Sequence, residues 1–152
     1  MLRVRYRTAP VSTPYTIMVQ IAHGTTTRNL YGYGIGIRDS AGKYVWFNWN
    51  DNTGSPQIAT QKWSKAAAGA TIANYLSTTG NDDLYYRNPS FMYITNDGTN
   101  LIFGYSVDNG QHLVQFDSRL KGDYLADQTS YGWGGYTNTG ELHNALVSCT
   151  CP

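Results

Sequence analysis

The sequence predicts an all-β domain, an antiparallel two-sheet β-sandwich. Short runs of alternating apolar and polar residues recur along the chain, as half-buried strands require. Gly, Asn and Asp clusters separate these runs at hairpin spacing. The composition agrees: 13 tyrosines and 16 glycines among 152 residues suit a rigid β-structure with a tyrosine-rich surface. Lysine and glutamate are scarce, which fits neither a cytosolic enzyme nor a disordered segment. The length suits one domain, residues 1–152, with a single core.

The elements follow in order. "LRVRYR" places Arg3, Arg5 and Arg7 on one face of a strand, a charged edge that discourages unwanted pairing. The chain enters this strand without preamble, so we expect a fragment or C-terminal domain of a longer protein. "YTIMVQIA" alternates, with Tyr15, Ile17, Val19 and Ile21 on one face.

"YGYGIGIRDSAGKYVWFNW" then sets Gly32, Gly34 and Gly36 on one strand face and aromatics on the next strand. Glycine inside a strand marks a close approach by something bulky. A loop at 39–42 pairs Gly36 with Val45; a loop at 39–41 pairs Gly36 with Tyr44 and Gly34 with Trp46. A one-residue slip exchanges the faces, and the sequence does not choose. In both registers large rings stand across from glycines (Phe47 from Gly34 and Trp49 from Gly32 with the 39–42 loop) and fill the bare positions; a ligand groove along the same face is the alternative.

"QKWSKAAAGATIANYL" (Gln61 to Leu76) carries helix-favouring alanines, but Gly69, Thr71 and Ile72 predict loop plus strand. "FMYIT", "LIFGYSV" and "HLVQF", joined through Asn96–Asn100 and Asp108–Gly110, predict a three-stranded meander. "YGWGGY" and "NALVSCT" supply the last of an expected ten to fourteen strands. No long internal repeat points to a propeller or solenoid.

The chemistry is sparse. A formal net charge of +1 argues against an electrostatic nucleic-acid binder. No stretch is long and apolar enough to span a bilayer as a helix, so no membrane insertion is expected. Cys149 and Cys151 are too close on a strand for a good disulfide, and Pro89 blocks a glycosylation sequon at Asn88.

His23, His112 and His143 are scattered, and no nucleophile elbow, P-loop or dinucleotide fingerprint occurs. The acids sit singly in turns, without the facing pair that glycoside hydrolysis needs. We therefore expect no enzyme, no cofactor and no metal, and read Asp51–Gly54 and Asn81–Asp83 as plain turns rather than calcium sites.

Carbohydrate binding asks only for exposed ring faces with amides or acids for hydroxyls. Trp46, Trp49, Trp63, Tyr85, Tyr86, Trp133 and Tyr136 are the stock of rings, about half of them core by strand parity. Tyr85, Tyr86, Trp133 and Tyr136, in "DDLYYRNP" and "YGWGGYTNTG", are the exposed candidates, with Trp46 beside them. For Trp133 a structural role, plugging the end of the sandwich, competes.

"TPYTIMVQI", "GIGIRDSAGK", "FMYITNDGTNLIFGYSVDNGQ" and "YGWGGYTNTG" together resemble, in order, the concanavalin A-like lectin/glucanase jelly rolls of bacteriophage tail and other virion proteins. The matching positions are Pro14 to Ile17, Arg38 to Ser40 with Gly42-Lys43, Asp97 to Asn100, and Ser106 to Gly110. The resemblance covers most of the chain from Thr13 onward. Asn109 lengthens the usual Asp-Gly turn, and Phe91 stands where a tryptophan often begins the strand.

The resemblance implies a two-sheet sandwich at the virion surface, on a phage tail, with other virion subunits as partners and a homo-oligomeric assembly. The expected function is non-enzymatic: a tail-fibre or tail-protein domain that binds a host cell-surface glycan or receptor. The alternative is a structural virion domain, at a subunit interface or decorating a shell, with no glycan ligand.

Overall fold

Alternation along β2 (Tyr15–Ala22) decides its placement. Tyr15, Ile17, Val19 and Ile21 are buried while Thr16, Met18 and Gln20 are half-exposed, so one face meets the core. The same rule, applied strand by strand, yields two antiparallel sheets packed face to face. The structure, a computed structural model, describes residues 2–22, 31–52, 55–65, 70–79, 89–137 and 145–150.

Among these residues there are eleven strands and no helix. They are β1 (Leu2–Thr8), β2, β3 (Tyr31–Arg38), β4 (Tyr44–Asn52), β5 (Ser55–Trp63), β6 (Ile72–Thr79), β7 (Phe91–Asn96), β8 (Asn100–Ser106), β9 (Val114–Leu120), β10 (Ser130–Thr137) and β11 (Ala145–Thr150). A six-stranded sheet runs β1-β10-β3-β4-β5-β6, and a five-stranded sheet runs β11-β2-β7-β8-β9.

The core lies between the sheets. Ile35, Ile37, Val45, Phe47, Trp49 and Ile58 from the larger sheet meet Ile17, Val19, Met92, Ile94, Leu101 and Phe103 from the smaller. Full burial of each such side chain contributes about 1.5–3 kcal/mol. Phe47 stacks on Phe116 at 5.6 Å and meets Phe103 at 6.0 Å. At one margin Thr60 of β5 donates a hydrogen bond to Asp117 of β9, which also holds Arg119 at 3.0 Å. This polar link pins the two sheets together where their apolar faces run out.

β1 is an edge strand whose Arg5 and Arg7 are exposed, as the charged-edge reading expects. The meander appears as β7, β8 and β9, with Asp97 closing its first turn by accepting from the Thr99 and Asn100 amides at 2.8 and 2.6 Å. Between β5 and β6, Ser64 and Thr71 close a loop through 3.0 and 2.8 Å bonds. Strand, not helix, therefore flanks residues 66–69, which lie outside the described residues, as do Asn81–Asp83.

The β3–β4 register follows neither sequence expectation. Arg38 pairs with Tyr44, Gly36 with Trp46, Gly34 with Asn48 and Gly32 with Asn50, so the loop is five residues long, 39–43. Its closure explains the difference. Asp39, 1% exposed, donates its amide to the Lys43 carbonyl at 3.1 Å and accepts the Lys43 and Ala126 amides on its carboxylate at 2.8 and 3.4 Å. One ring does stand across from a glycine, at Gly36; amides face the other two.

Candidate functional site

The outer face of the six-stranded sheet gathers unusual residues for a surface. The ladder registers arrange its side chains in rows across all six strands. One row is Thr8, Ser130, Arg38, Tyr44, Trp63 and Ile72; the next is Tyr6, Gly132, Gly36, Trp46, Gln61 and Asn74. A third is Val4, Gly134, Gly34, Asn48, Ala59 and Ser77. The fourth is Leu2, Tyr136, Gly32, Asn50, Gln57 and Thr79.

Glycines of β3 and β10 pair directly, Gly36 with Gly132 and Gly34 with Gly134, so over two successive rows these adjacent strands lack side chains on this face. Neighbours lean into the space. A Cβ on Gly36 would stand 2.7 Å from Trp46 Cε3, and one on Gly132 would stand 2.4 Å from Val4 Cγ1. Trp46 thereby joins Tyr44 and Trp63 in a small buried cluster, with Val4, Tyr6 and Ala70 against it. Arg38 lies over the Tyr6 ring at 5.2 Å and the Tyr44 ring at 5.9 Å. Burial raises the Tyr6 phenol pKa, and the Arg38 charge partly opposes that rise.

β4, β5 and β6 carry a chain of amides beside this cluster. Asn50 Nδ2 donates to Asn48 Oδ1 at 2.8 Å, and Asn48 Nδ2 to Gln61 Oε1 at 3.0 Å. Gln61 Nε2 then donates to Asn74 Oδ1 at 2.9 Å, and Asn74 Nδ2 to Ser77 Oγ at 3.4 Å. Trp63 Nε1 joins at Gln61 Oε1, 3.1 Å away, and Gln57 Oε1 accepts from Asn50 at 3.3 Å. The four links from Asn50 to Ser77 point the same way, so their dipoles reinforce one another, while the bond to Gln57 branches off from Asn50 in the other direction. Asn48, Asn50 and Gln61 are buried, whereas Asn74 is exposed and Gln57 and Ser77 half-exposed. Buried partners thus hold exposed polar groups in fixed orientations, which is how a recognition surface is preorganised.

The ring candidates divide. Trp46 is 0% exposed, which corrects its reading as a ligand platform: parity and the Gly36 gap draw its ring down onto the sheet. Trp133 is on the inner face, half-buried, stacked on Tyr131 at 6.3 Å and packed against the core, with Arg7 over its ring at 5.9 Å. Tyr136 pairs with Gly32 and Leu2 in the glycine rows. Tyr85 and Tyr86 lie outside the described residues. Of the other tryptophans, Trp49 stacks on Tyr33 in the core at 5.2 Å and Trp63 is 5% exposed. The amide chain went unforeseen; its signal is the alternation Asn48, Asn50 in "FNWN" with Gln57 and Gln61 four apart on the next strand.

Among the described residues, no three His, Cys, Asp or Glu side chains gather as metal ligands, and no helix is long and apolar enough to cross a membrane.

No family model and no curated protein matches the sequence. Solved structures do match in fold. The CBM2 module of the evolved Dit protein of Lactobacillus casei BL23 phage J-1 aligns with a TM-score of 0.56 at 15% identity, covering 88% of this chain and 59% of that one. Sheep galectin-11, solved with glycerol, aligns with a TM-score of 0.57 at 10% identity, covering 99% of this chain and 97% of that one. The fold shared with these structures is an all-β sandwich of two antiparallel sheets.

An engineered GH43 glycoside hydrolase with endo-xylanase and exo-arabinofuranosidase activity shares this sandwich over 91% of the present chain but only 29% of its own, at 13% identity and a TM-score of 0.54. The same two-sheet architecture thus occurs in a carbohydrate-binding module, a galectin and a glycoside hydrolase, and identities this low establish architecture alone. The present chain spans 59% of the length of the phage module.

Proposed function

We propose that this domain is a non-enzymatic carbohydrate-binding module of a phage virion protein, one unit of a longer tail chain, and that it docks a host cell-surface glycan on the outer face of the six-stranded sheet. The observation that carries this reading is the polarised amide chain running from Asn50 to Ser77. Asn74 and Ser77 bring the acceptor end of the chain to solvent, and Gln57 brings the branch from Asn50 there. Gln57 and the exposed Asn74, which pairs with Gln61 four residues along β5, are roughly 13 Å apart along the strand direction, which accommodates more than one sugar ring. Tyr136, at a register position in the adjoining glycine rows, is the stacking ring proposed for this face; Tyr85 and Tyr86 are proposed from the sequence alone, and Trp133 serves packing. The lectin and carbohydrate-binding neighbours in fold, one of them from a phage, support the same assignment.

A glycan array with the isolated domain tests it, followed by calorimetry on the best hit. Asn74→Ala and Gln57→Ala, at positions that carry little core packing, should weaken binding at least about tenfold, or 1.4 kcal/mol, while leaving the circular dichroism spectrum unchanged. Full affinity in both variants removes the site from this face, and full affinity in Tyr136→Ala together with Tyr86→Ala removes the stacking role of those rings.

A second reading has its own observation. Leu113, Val114 and Leu120 on and beside edge strand β9 are 51%, 44% and 64% exposed, and Ile72 and Leu76 on edge strand β6 are 46% and 37% exposed. These apolar margins suit packing against other virion subunits or a second copy. An empty glycan array combined with a concentration-dependent dimer in light scattering selects that reading.

A further inference from the structure

Arg38 stands out on the outer face. The register positions of β1, β10, β3, β4, β5 and β6 on that side hold glycines, amides, hydroxyls, aliphatics and aromatics; Arg38 is the only charged residue among them. Its guanidinium is half-buried, with Nε closed to solvent and without a hydrogen-bond partner. Among the described residues no carboxylate pairs with it. The buried indole Nε1 of Trp46, next in the rows, is also without an acceptor. Two neighbouring buried donors on this face, Arg38 Nε and Trp46 Nε1, thus lack acceptors.

A guanidinium withdrawn from water without a counter-ion is a standing cost. The rings of Tyr6 and Tyr44, at 5.2 and 5.9 Å, offset part of it and clamp the side chain. They supply no acceptor for its N–H fork. Beside Nη2 lies Gly42, where an added Cβ would meet nothing within 4 Å except Arg38 itself. The turn therefore leaves the Nη end of the guanidinium uncrowded on that side, while Nε stays closed.

We propose that Arg38 is an oxyanion subsite of this face, and that the glycan it receives carries an acidic residue, a hexuronate whose carboxylate takes the planar fork. The proposal rests on the carbohydrate-binding reading above. Arg38 on β3 and Asn74 on β6 are three strands apart, roughly 14 Å, so one short oligosaccharide reaches both the charge and the amide chain. Neutral hydroxyls meet the amides, and the carboxylate meets Arg38.

Calorimetry at low salt with glucuronate, glucose and glucose 6-sulfate tests it. Glucuronate should bind the whole domain about tenfold or more tighter than glucose, and raising the salt should erode the difference. Arg38→Gln should bring glucuronate down to the level of glucose; Arg38→Lys, which keeps the charge and loses the fork, should recover only part of the preference. Equal affinity for glucuronate and glucose, or an undiminished preference in either variant, overturns the proposal. Tighter binding of glucose 6-sulfate than of glucuronate overturns the carboxylate assignment. If Asn74→Ala and Gln57→Ala leave glycan binding intact while Arg38→Gln abolishes the glucuronate preference, the reading of the amide chain fails and the oxyanion site stands.

Discussion

Trp46 lies over Gly36, its Cε3 2.7 Å from the point where a Cβ would stand, while the Val45 carbonyl oxygen occupies the same space at 2.7 Å. Gly36→Ala therefore forces a ring and a main-chain carbonyl apart at once. Overpacking of this kind costs about 1–3 kcal/mol, and the immobile carbonyl puts this site at the upper end. Urea unfolding should show a lower midpoint at unchanged slope. Adding Trp46→Ala to Gly36→Ala should cost less than the two single changes summed, because the clash is shared. Strict additivity would mean that the ring and the glycine are not in contact.

Asp117 joins the sheets through Thr60 and Arg119. Asp117→Ala leaves a buried hydroxyl without its acceptor and a partly buried guanidinium without its partner. The expected loss is about 1–3 kcal/mol, read as a lower melting temperature. Thr60→Val, which removes the donor and keeps the shape, should cost less than Asp117→Ala. The reverse order would place the stabilisation in the Thr60 contact alone.

Trp133 is half-buried against the core and stacked on Tyr131. Trp133→Ala should lower stability measurably, though by less than the about 3–5 kcal/mol that a fully buried tryptophan costs. Glycan binding by the fraction that remains folded should be unaffected. An unchanged melting temperature with lost binding would restore Trp133 as a ligand platform.

The Asp108 carboxylate accepts the His112 backbone amide at 2.9 Å, contacts the His112 ring at 2.5 Å and accepts the Ser106 hydroxyl at 2.7 Å. These bonds, the backbone one foremost, hold its pKa well below the usual carboxylate range. A folded pKa below the unfolded one, about 3.9, means that folding favours the charged form. Its contribution is complete above that value and is lost as the pH falls below it. Intrinsic amide exchange slows from pH 6 to pH 3, so the readout is the protection factor: that of the 106–112 turn should fall over this range, and Asp108→Asn should abolish the fall. An identical pH response in both proteins would show that the turn closes without the carboxylate.

Much of the fold was legible because strand alternation and turn chemistry are local. The inward face of β2, the meander and the guarded edge at β1 each follow from a few consecutive residues. The β3–β4 register was not legible. Its five-residue loop closes around a buried Asp39 carboxylate that also receives Ala126, 87 residues away, and no local rule reports such a contact. The fate of Trp46 hung on that register, since parity alone decides whether its ring meets glycine or core. The amide chain was hidden for a different reason: Asn50, Gln61 and Asn74 belong to three strands, and their mutual satisfaction exists only once β4, β5 and β6 are aligned.

No member of the chain from Asn50 to Ser77 titrates. Between about pH 3 and pH 8, where carboxylates and imidazoles exchange protons, its donors remain donors and its acceptors remain acceptors. Dissolved ions screen charges and leave neutral amide contacts of this kind largely alone. A partner gripped through those amides alone would be held about as firmly in an acidic gut as in a neutral pond, and in brine as in fresh water.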